Sequence, residues 1–188
     1  MTSKVEKKRA ALLQAALELF AEKGFNGCST ALIAKQAGVA SGTLFFHFNS
    51  KEELIHALFR EVRTKVSRRV HEGLSEDMPL QGRLLGILTN LLRYFLVHSA
   101  EFKFVEQYHF SPLAPRDDAL SDEDKMLKNL LIQGRKDGLV KNVPLQCLEA
   151  VALGPIVALI KAHINRGVQV DEAIIRSTIA ACWDGLKR

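Results

Sequence analysis

The chain has 188 residues, of which 47% are hydrophobic and 25% are charged, and its formal net charge is +5. This composition excludes a disordered or collagen-like chain, and the length allows one domain or two small ones. The longest weakly polar run, residues 150–160, is too short to span a bilayer, and the N-terminus has no signal-peptide pattern. We therefore expect a soluble cytoplasmic protein without a membrane partner.

The positive charge is concentrated in the first part of the chain. Residues 1–71 hold 12 Lys and Arg against 6 Asp and Glu, whereas residues 72–188 hold 14 against 15. A basic head joined to a nearly neutral body suggests a unit that binds a polyanion, although charge alone fits a solvated basic face better. The three cysteines, Cys28, Cys147 and Cys182, form no C-x-x-C pair and are expected to be free thiols.

The spacing of the apolar residues predicts an all-α protein of about nine helices, because no sustained alternation typical of strands is present. The first predicted helix covers residues 4–23, carries one apolar stripe and ends at Gly24. The second begins at a cap formed by Ser29 or Thr30 and ends at Gly38. A short third helix follows.

The predicted fourth helix starts at a capping box, in which Ser50 and Glu53 lie three residues apart, and it ends near Gly73. Residues 80–98 form a long helix with two apolar faces, which indicates a central, heavily buried position. The later helices are predicted at residues 101–110, 121–138 and 144–166, and from residue 171 onward.

Residues 37–48, AGVASGTLFFHF, contain two glycines with different expected purposes. The spacing of Ala34, Gly38 and Leu44 matches a helix-turn-helix, in which Gly38 makes the turn. Gly42 lies at the start of the third helix, where a small residue lets the backbone approach a flat surface. In DNA-reading proteins this helix enters the major groove by its N-terminal end. A helical hairpin without a role in DNA binding is the alternative.

Residues 10–59 resemble the DNA-binding domain of the TetR/AcrR family of bacterial regulators, through the pattern IA…AGV…GTL…HF and the motif SKEEL. The resemblance covers about a quarter of the chain, and the rest matches only in the order of its helices. It implies an N-terminal helix-turn-helix DNA-binding domain over residues 1–50 and a C-terminal ligand-binding and dimerisation domain over residues 51–188. It also implies a homodimer that represses transcription at a palindromic operator and is released by a small molecule.

The resemblance also assigns residues to DNA contacts. Phe46 is expected to touch a thymine methyl, and Lys51 to pair with a phosphate at a helix N-terminus. The family usually has tyrosine where this chain has Phe45, which lacks the hydroxyl for a phosphate hydrogen bond, so His47 and Lys51 are expected to carry more of the backbone contact. The full set is Lys4, Lys8, Arg9, Ser29, Thr30, Ser41, Gly42, Thr43, Phe45, Phe46, His47 and Lys51.

The last two predicted helices are too apolar for one monomer to cover, which predicts a four-helix interface between two copies of the chain. Burial inside a monomer is the alternative. Gly154-Pro155 is expected to kink the first of these helices. The predicted interface residues are Val151, Ala158, Ala162, Ile175, Ile179 and Cys182.

The segment EFKFVEQYHF, residues 101–110, combines aromatic rings with a few polar groups, which is typical of a small-molecule site and also of a plain core. The candidate ligand-lining residues are Tyr94, Phe104, Gln107, Tyr108, Phe110 and Gln133. The histidines lack metal-ligand spacing, and no nucleotide-binding or nucleophile motif is present, so we expect no cofactor, no metal and no enzyme activity.

The sequence therefore favours a transcriptional repressor that a small, lipophilic or aromatic inducer releases from double-stranded DNA. Two alternatives stay open. The first is a DNA-binding protein of the same fold without an inducer, acting as an architectural factor. The second is a helical carrier or enzyme that has kept a vestigial DNA-binding head.

Overall fold

The computed structural model describes residues 4–114 and 126–188, and the all-α prediction is confirmed. Over these residues no strand is present, and Val140 and Lys187 form an isolated antiparallel bridge. The predicted cap of the seventh helix, at residue 121, lies outside the described residues. The helices are α1 (Lys4–Lys23), α2 (Thr30–Gln36), α3 (Ser41–His47), α4 (Lys51–Val70), α5 (Leu80–Val97), α6 (Ser99–His109), α7 (Met126–Lys136), α8 (Leu145–Arg166) and α9 (Glu172–Leu186).

The chain divides into two compact units. The first contains the described residues up to Thr64 together with Ser99–Ala114, and the second contains Lys65–His98 together with the described residues from 126 onward. The first unit therefore extends beyond the predicted boundary at residue 50, because α6 packs against α1. The functional division into a DNA-binding and a ligand-binding domain stays a prediction.

The first unit is built on the apolar stripe of α1, which buries Leu13 and Phe20 almost completely. Helix α1 ends and α2 begins where the sequence predicts, whereas α6 begins at Ser99, two residues before the predicted start. Gly24 closes α1 with a φ of 73°, and Gly38 follows α2 with a φ of 68°, a left-handed conformation that glycine adopts without strain. The Ser29 hydroxyl caps α2 by accepting a hydrogen bond from the Leu32 N–H at 3.1 Å.

The start of α4 carries the predicted cap with one difference. The Ser50 hydroxyl accepts from the Glu53 N–H at 3.1 Å, as expected for a capping box. The Glu53 carboxylate, however, accepts from the backbone N–H of Asn49 at 2.8 Å and from its side-chain amide at 2.7 Å. In a capping box the carboxylate would accept from the N–H of the cap residue, Ser50. Here it bonds to the preceding residue, Asn49, which offers two donors instead of one.

The second unit is organised around α5, which packs against α7, α8 and α9 and confirms the predicted central position. Its buried stripe contains Leu84, Leu88 and Leu92, each fully inaccessible to solvent. At the exposed edge, the Arg93 guanidinium pairs with the Glu172 carboxylate at 2.6 Å and joins α5 to the start of α9. The core of this unit is therefore formed by helices distant in sequence.

Four of the six predicted dimer-interface residues are buried within the chain, and the assignment of all six to an interface stays a prediction. Ala162, Ile175, Ile179 and Cys182 are at most 7% exposed, because they face the interior of the second unit. Ile175, Ile179 and Cys182 follow one another at four- and three-residue spacing on α9, so they form a single inward stripe. Val151 and Ala158 on α8 are exposed, as an interface with another molecule requires.

Helix α8 has an unusual distribution of apolar residues. By length and composition it could cross a membrane, yet only 28% of its most apolar window is buried inside the structure. Pro155 lies inside the helix, which continues to Arg166. The exposed residues on this helix include a row of small or apolar side chains, namely Cys147, Ala150, Val151, Gly154, Pro155 and Ala158.

Candidate nucleic-acid interface

An open groove in the first unit lies between the first turns of α1 and the outward face of α3. Its volume is about 440 Å³. We call it the α1–α3 groove, and its lining residues are Lys4, Val5, Lys8, Gly42, Thr43, Phe46 and His47. Six of these seven were predicted to contact DNA. The groove thus combines two cationic side chains, an exposed ring and a glycine at a helix start, which suits contact with a phosphate backbone and with base edges.

The orientation of α3 follows from one buried residue. Leu44 is fully buried and holds the inner side of this seven-residue helix, so Gly42 and Phe46 lie on the outer side. A Cβ atom added at Gly42 would meet nothing within 4 Å. Packing within the chain therefore does not require glycine there, and the open space lies where an external surface would approach.

The basic residues of α1 divide between two faces of the helix. Lys4 and Lys8 are one turn apart and both line the α1–α3 groove. Arg9, turned about 100° from Lys8, instead places its guanidinium 5.4 Å from the centre of the Phe48 ring and 3.9 Å from the Glu61 carboxylate. Arg9 thus has contacts within the protein, and its predicted contact with DNA stays a prediction.

Two other predicted phosphate ligands already have partners inside the protein. The Lys51 ammonium donates a hydrogen bond to the Phe25 carbonyl, in a partly buried position at the turn between α1 and α2. The Ser29 hydroxyl is used as the cap of α2. Their phosphate contacts stay predictions, as does that of Thr30, and Lys51 has a structural role that the sequence pattern did not reveal.

The two adjacent phenylalanines of α3 are both exposed but lie differently. Phe46 is 74% exposed and lines the groove beside His47, whose ring centre is 5.2 Å away. Phe45 is 53% exposed and, like Ser41, is not among the groove residues. Sequence reasoning missed Val5, which is 52% exposed; the available signal was an apolar residue placed among lysines at the start of α1.

Three of the six predicted ligand-lining residues, Phe104, Gln107 and Tyr108, pack inside the first unit. Phe104 is fully buried, with its ring centre 6.2 Å from that of Phe20. The Tyr108 hydroxyl lies 2.9 Å from His56 Nδ1, and burial raises the pKa of this phenol. The Gln107 amide oxygen accepts from the Phe25 N–H in the turn after α1, and its nitrogen donates to the Phe20 carbonyl in the last turn of α1. The Gln107 amide thus has internal partners, and its predicted contact with a ligand stays a prediction.

The remaining candidates differ in exposure. Phe110 is 85% exposed, and its assignment to a ligand site stays a prediction. Gln133 is also exposed, and its amide donates to the Asp137 carboxylate at 2.8 Å. Tyr94 is nearly buried in the second unit, where its ring centre lies 4.3 Å from that of His98. A ligand site formed by any of the six candidate residues stays a prediction.

The turn between α2 and α3, the outward face of α3 and the cationic groove beside it define a helix-turn-helix DNA-binding protein. Two family models match the chain: that of bacterial regulatory proteins of the tetR family over residues 12–58, and that of the tetracyclin repressor-like C-terminal domain over residues 79–187. The chain belongs to the TetR family, and it is a DNA-binding transcriptional regulator.

Individual relatives agree with this assignment. The crystal structure of a TetR family transcription regulator from Marinobacter aquaeolei has a TM-score of 0.86 at 27% identity and covers 97% of this chain and 96% of that chain. The transcriptional regulator YhgD of Bacillus subtilis is 25% identical over 157 residues, 81% of this chain and 82% of that protein. The fatty acid metabolism regulator of the same organism is 33% identical over 78 residues, which span 42% of this chain and 40% of that regulator.

Proposed function

We propose that this regulator is a cytoplasmic homodimeric repressor that binds a palindromic operator and is released by a small lipophilic or aromatic molecule. The observation that carries the proposal is the α1–α3 groove, in which Lys4 and Lys8 stand beside Gly42 and Phe46. Lysines there suit the phosphate backbone, while the exposed face of α3 suits base edges in a major groove. Arg9 strengthens the arrangement indirectly, because its contact with Phe48 joins α1 to the end of α3.

The uncovered face of α8 supports the homodimer. Val151 is 38% exposed, and small exposed residues at Ala150, Gly154 and Ala158 let another helix approach closely. Helix α8 is apolar on nearly all sides, so its exposed row of small and apolar residues would be left in water in a monomer. A second copy of the chain that covers this row accounts for its composition. Two-fold symmetry would then present two α3 helices to two half-sites of the same sequence.

Release by a small molecule is the second part of the proposal. One matching relative is named as a regulator of fatty acid metabolism, which favours a lipophilic effector. If a thermal-shift screen with fatty acids, acyl thioesters and aromatic compounds stabilised the protein, and the same compound reduced operator binding, the repressor with an inducer would be supported. Operator binding that responds to none of them would favour the architectural alternative.

The operator itself can be found by selecting bound sequences from random duplex DNA. We expect a palindrome with half-sites about 10 base pairs, one helical turn, apart or a multiple of this, because a two-fold dimer repeats its contacts. A non-palindromic sequence would contradict the symmetric dimer. Binding without any sequence preference would contradict the regulator that reads an operator.

Phe46 provides a test of base reading at atomic resolution. Replacing the contacted thymine by deoxyuracil removes one methyl group, and the loss should weaken binding about 4-fold per half-site, since a buried methyl contributes about 0.8 kcal/mol. Phe46→Ala should remove this difference between thymine and uracil. Phe45→Ala is the matched control, because Phe45 is exposed but lies outside the groove. A uracil effect that survives in Phe46→Ala would exclude this contact.

A further inference from the structure

The peptide group of Phe25, in the turn between α1 and α2, is held by side chains from two other helices. Its N–H donates to Gln107 Oε1 of α6 at 3.0 Å, and its carbonyl accepts a hydrogen bond from the Lys51 ammonium of α4. The Gln107 amide nitrogen also donates to the Phe20 carbonyl at 3.2 Å. Gln107 thus bridges the last turn of α1 and the first residue after Gly24.

These bonds meet a need that every helix end has. The last carbonyl groups of a helix have no partner within it, and the turn that follows must be held by other groups or by water. Here one amide supplies both a donor and an acceptor from more than 80 positions further along the chain. The rings of Phe20, Phe25 and Phe104 pack beside it, with centres between 5.1 and 6.2 Å apart.

The turn to which Gln107 bonds is followed in the chain by α2 and α3, the two helices of the helix-turn-helix. Cys28, three residues after Phe25, is buried and donates its thiol hydrogen to the Leu19 carbonyl at 3.2 Å. The Ser29 cap of α2 follows, and α2 packs against both α1 and α3. Since α3 has only seven residues, its direction depends on α2 and therefore on this turn.

We propose that Gln107 is a positioning residue for operator binding: it fixes the turn after α1 and so sets the orientation in which α3 meets the bases. The proposal rests on the proposed function. Base contacts depend on orientation much more than phosphate contacts do, because a charge tolerates displacement whereas a base-edge contact does not. Loss of the bridge should therefore weaken operator binding more than non-specific binding.

Two substitutions test this role at different severity. Gln107→Leu removes both hydrogen bonds at similar side-chain volume. Gln107→Glu keeps the acceptor for the Phe25 N–H but replaces the donor to the Phe20 carbonyl by an oxygen. The matched control is Gln14→Leu, because Gln14 is an exposed glutamine of α1 whose amide donates to Glu18 one turn away.

The dissociation constants for the selected operator and for an unrelated duplex are measured at one salt concentration, well below the unfolding temperature of each variant. We expect Gln107→Leu to weaken operator binding about 10-fold or more, since the partly buried Phe25 N–H loses the Gln107 acceptor and the Phe20 carbonyl keeps only the bond from the Gly24 N–H, and to change non-specific binding by less than about 3-fold. Gln107→Glu should show the same pattern more weakly and serves alone if Gln107→Leu does not fold. Gln14→Leu should match the wild type.

Backbone amide exchange separates positioning from stability. We expect faster exchange at residues 25–30 in Gln107→Leu and Gln107→Glu and unchanged exchange there in Gln14→Leu. If the variants had lower unfolding temperatures but wild-type operator affinity when folded, Gln107 would be a stabilising residue only and the proposal would be overturned. A wild-type protein that selects no DNA sequence would overturn the proposed function, and this proposal with it.

Discussion

Replacing Gly42 with glutamate is expected to weaken operator binding by at least about 100-fold while leaving the thermal unfolding midpoint unchanged or slightly higher. The added side chain enters open space, because a Cβ atom at this position meets nothing within 4 Å. A carboxylate in the first turn of α3 is also favourable to the helix dipole. In the complex, however, it would stand between α3 and the bases, close to the negative phosphates.

The matched control is Gly82→Glu, which makes the same change in the first turn of α5, where an added Cβ would meet only the Met78 methyl at 3.7 Å. This variant should bind the operator like the wild type. Binding is measured by fluorescence anisotropy with the selected duplex, and folding by circular dichroism. Wild-type affinity in Gly42→Glu would mean that α3 does not face the bases by its N-terminal end.

Introducing glutamate at Ala158 or Val151 is expected to convert the dimer to monomers and to weaken operator binding by about 100-fold or more. A charge on the apolar face of α8 would be buried without a partner if two copies still paired, which costs several kcal/mol. A monomer that binds one half-site also loses the advantage of linked binding to two. Ala162 is unsuitable for this test, because it is 7% exposed and a charge there would disrupt the second unit itself.

Val97→Glu controls for the change in charge. Val97 is 78% exposed at the end of α5, so an added carboxylate there remains in water. Molecular mass in solution is measured by sedimentation equilibrium over a range of concentrations. If Val97→Glu dissociated the dimer while Ala158→Glu and Val151→Glu left it intact, the interface would lie on a different surface from the one proposed.

Several features of this protein were predictable from residues that lie close together in the sequence. The helix boundaries were predictable because their causes are local: the Ser29 and Ser50 caps each bond to a backbone N–H three residues away. The turn at Gly38 was predictable because a left-handed backbone favours glycine. The same signals, with the motifs of the third and fourth helices, identify the helix-turn-helix and the family.

Roles that depend on long-range contacts were not predictable in this way. The contacts of Arg9 with the Phe48 ring and the Glu61 carboxylate depend on the fold, which brings these distant residues beside it. The hydrogen bonds of Gln107 to Phe20 and Phe25 depend on the position of α6 against the end of α1. The residues that neighbour Arg9 or Gln107 in the sequence do not indicate which distant group will bond to the side chain.

By itself the sequence determined the helical character of residues 4–114 and 126–188, the turn between α2 and α3, and the class of the protein, because hydrogen-bond caps, glycine turns and apolar periodicity act over a few residues. Only the tertiary structure decided which polar groups face outward and which close the interior. In the folded chain the Lys51 ammonium donates to the Phe25 carbonyl, and the stripe of α9 that contains Ile179 lies inside the second unit. The sequence alone does not give these contacts, because burial and pairing depend on helices brought together from distant parts of the chain.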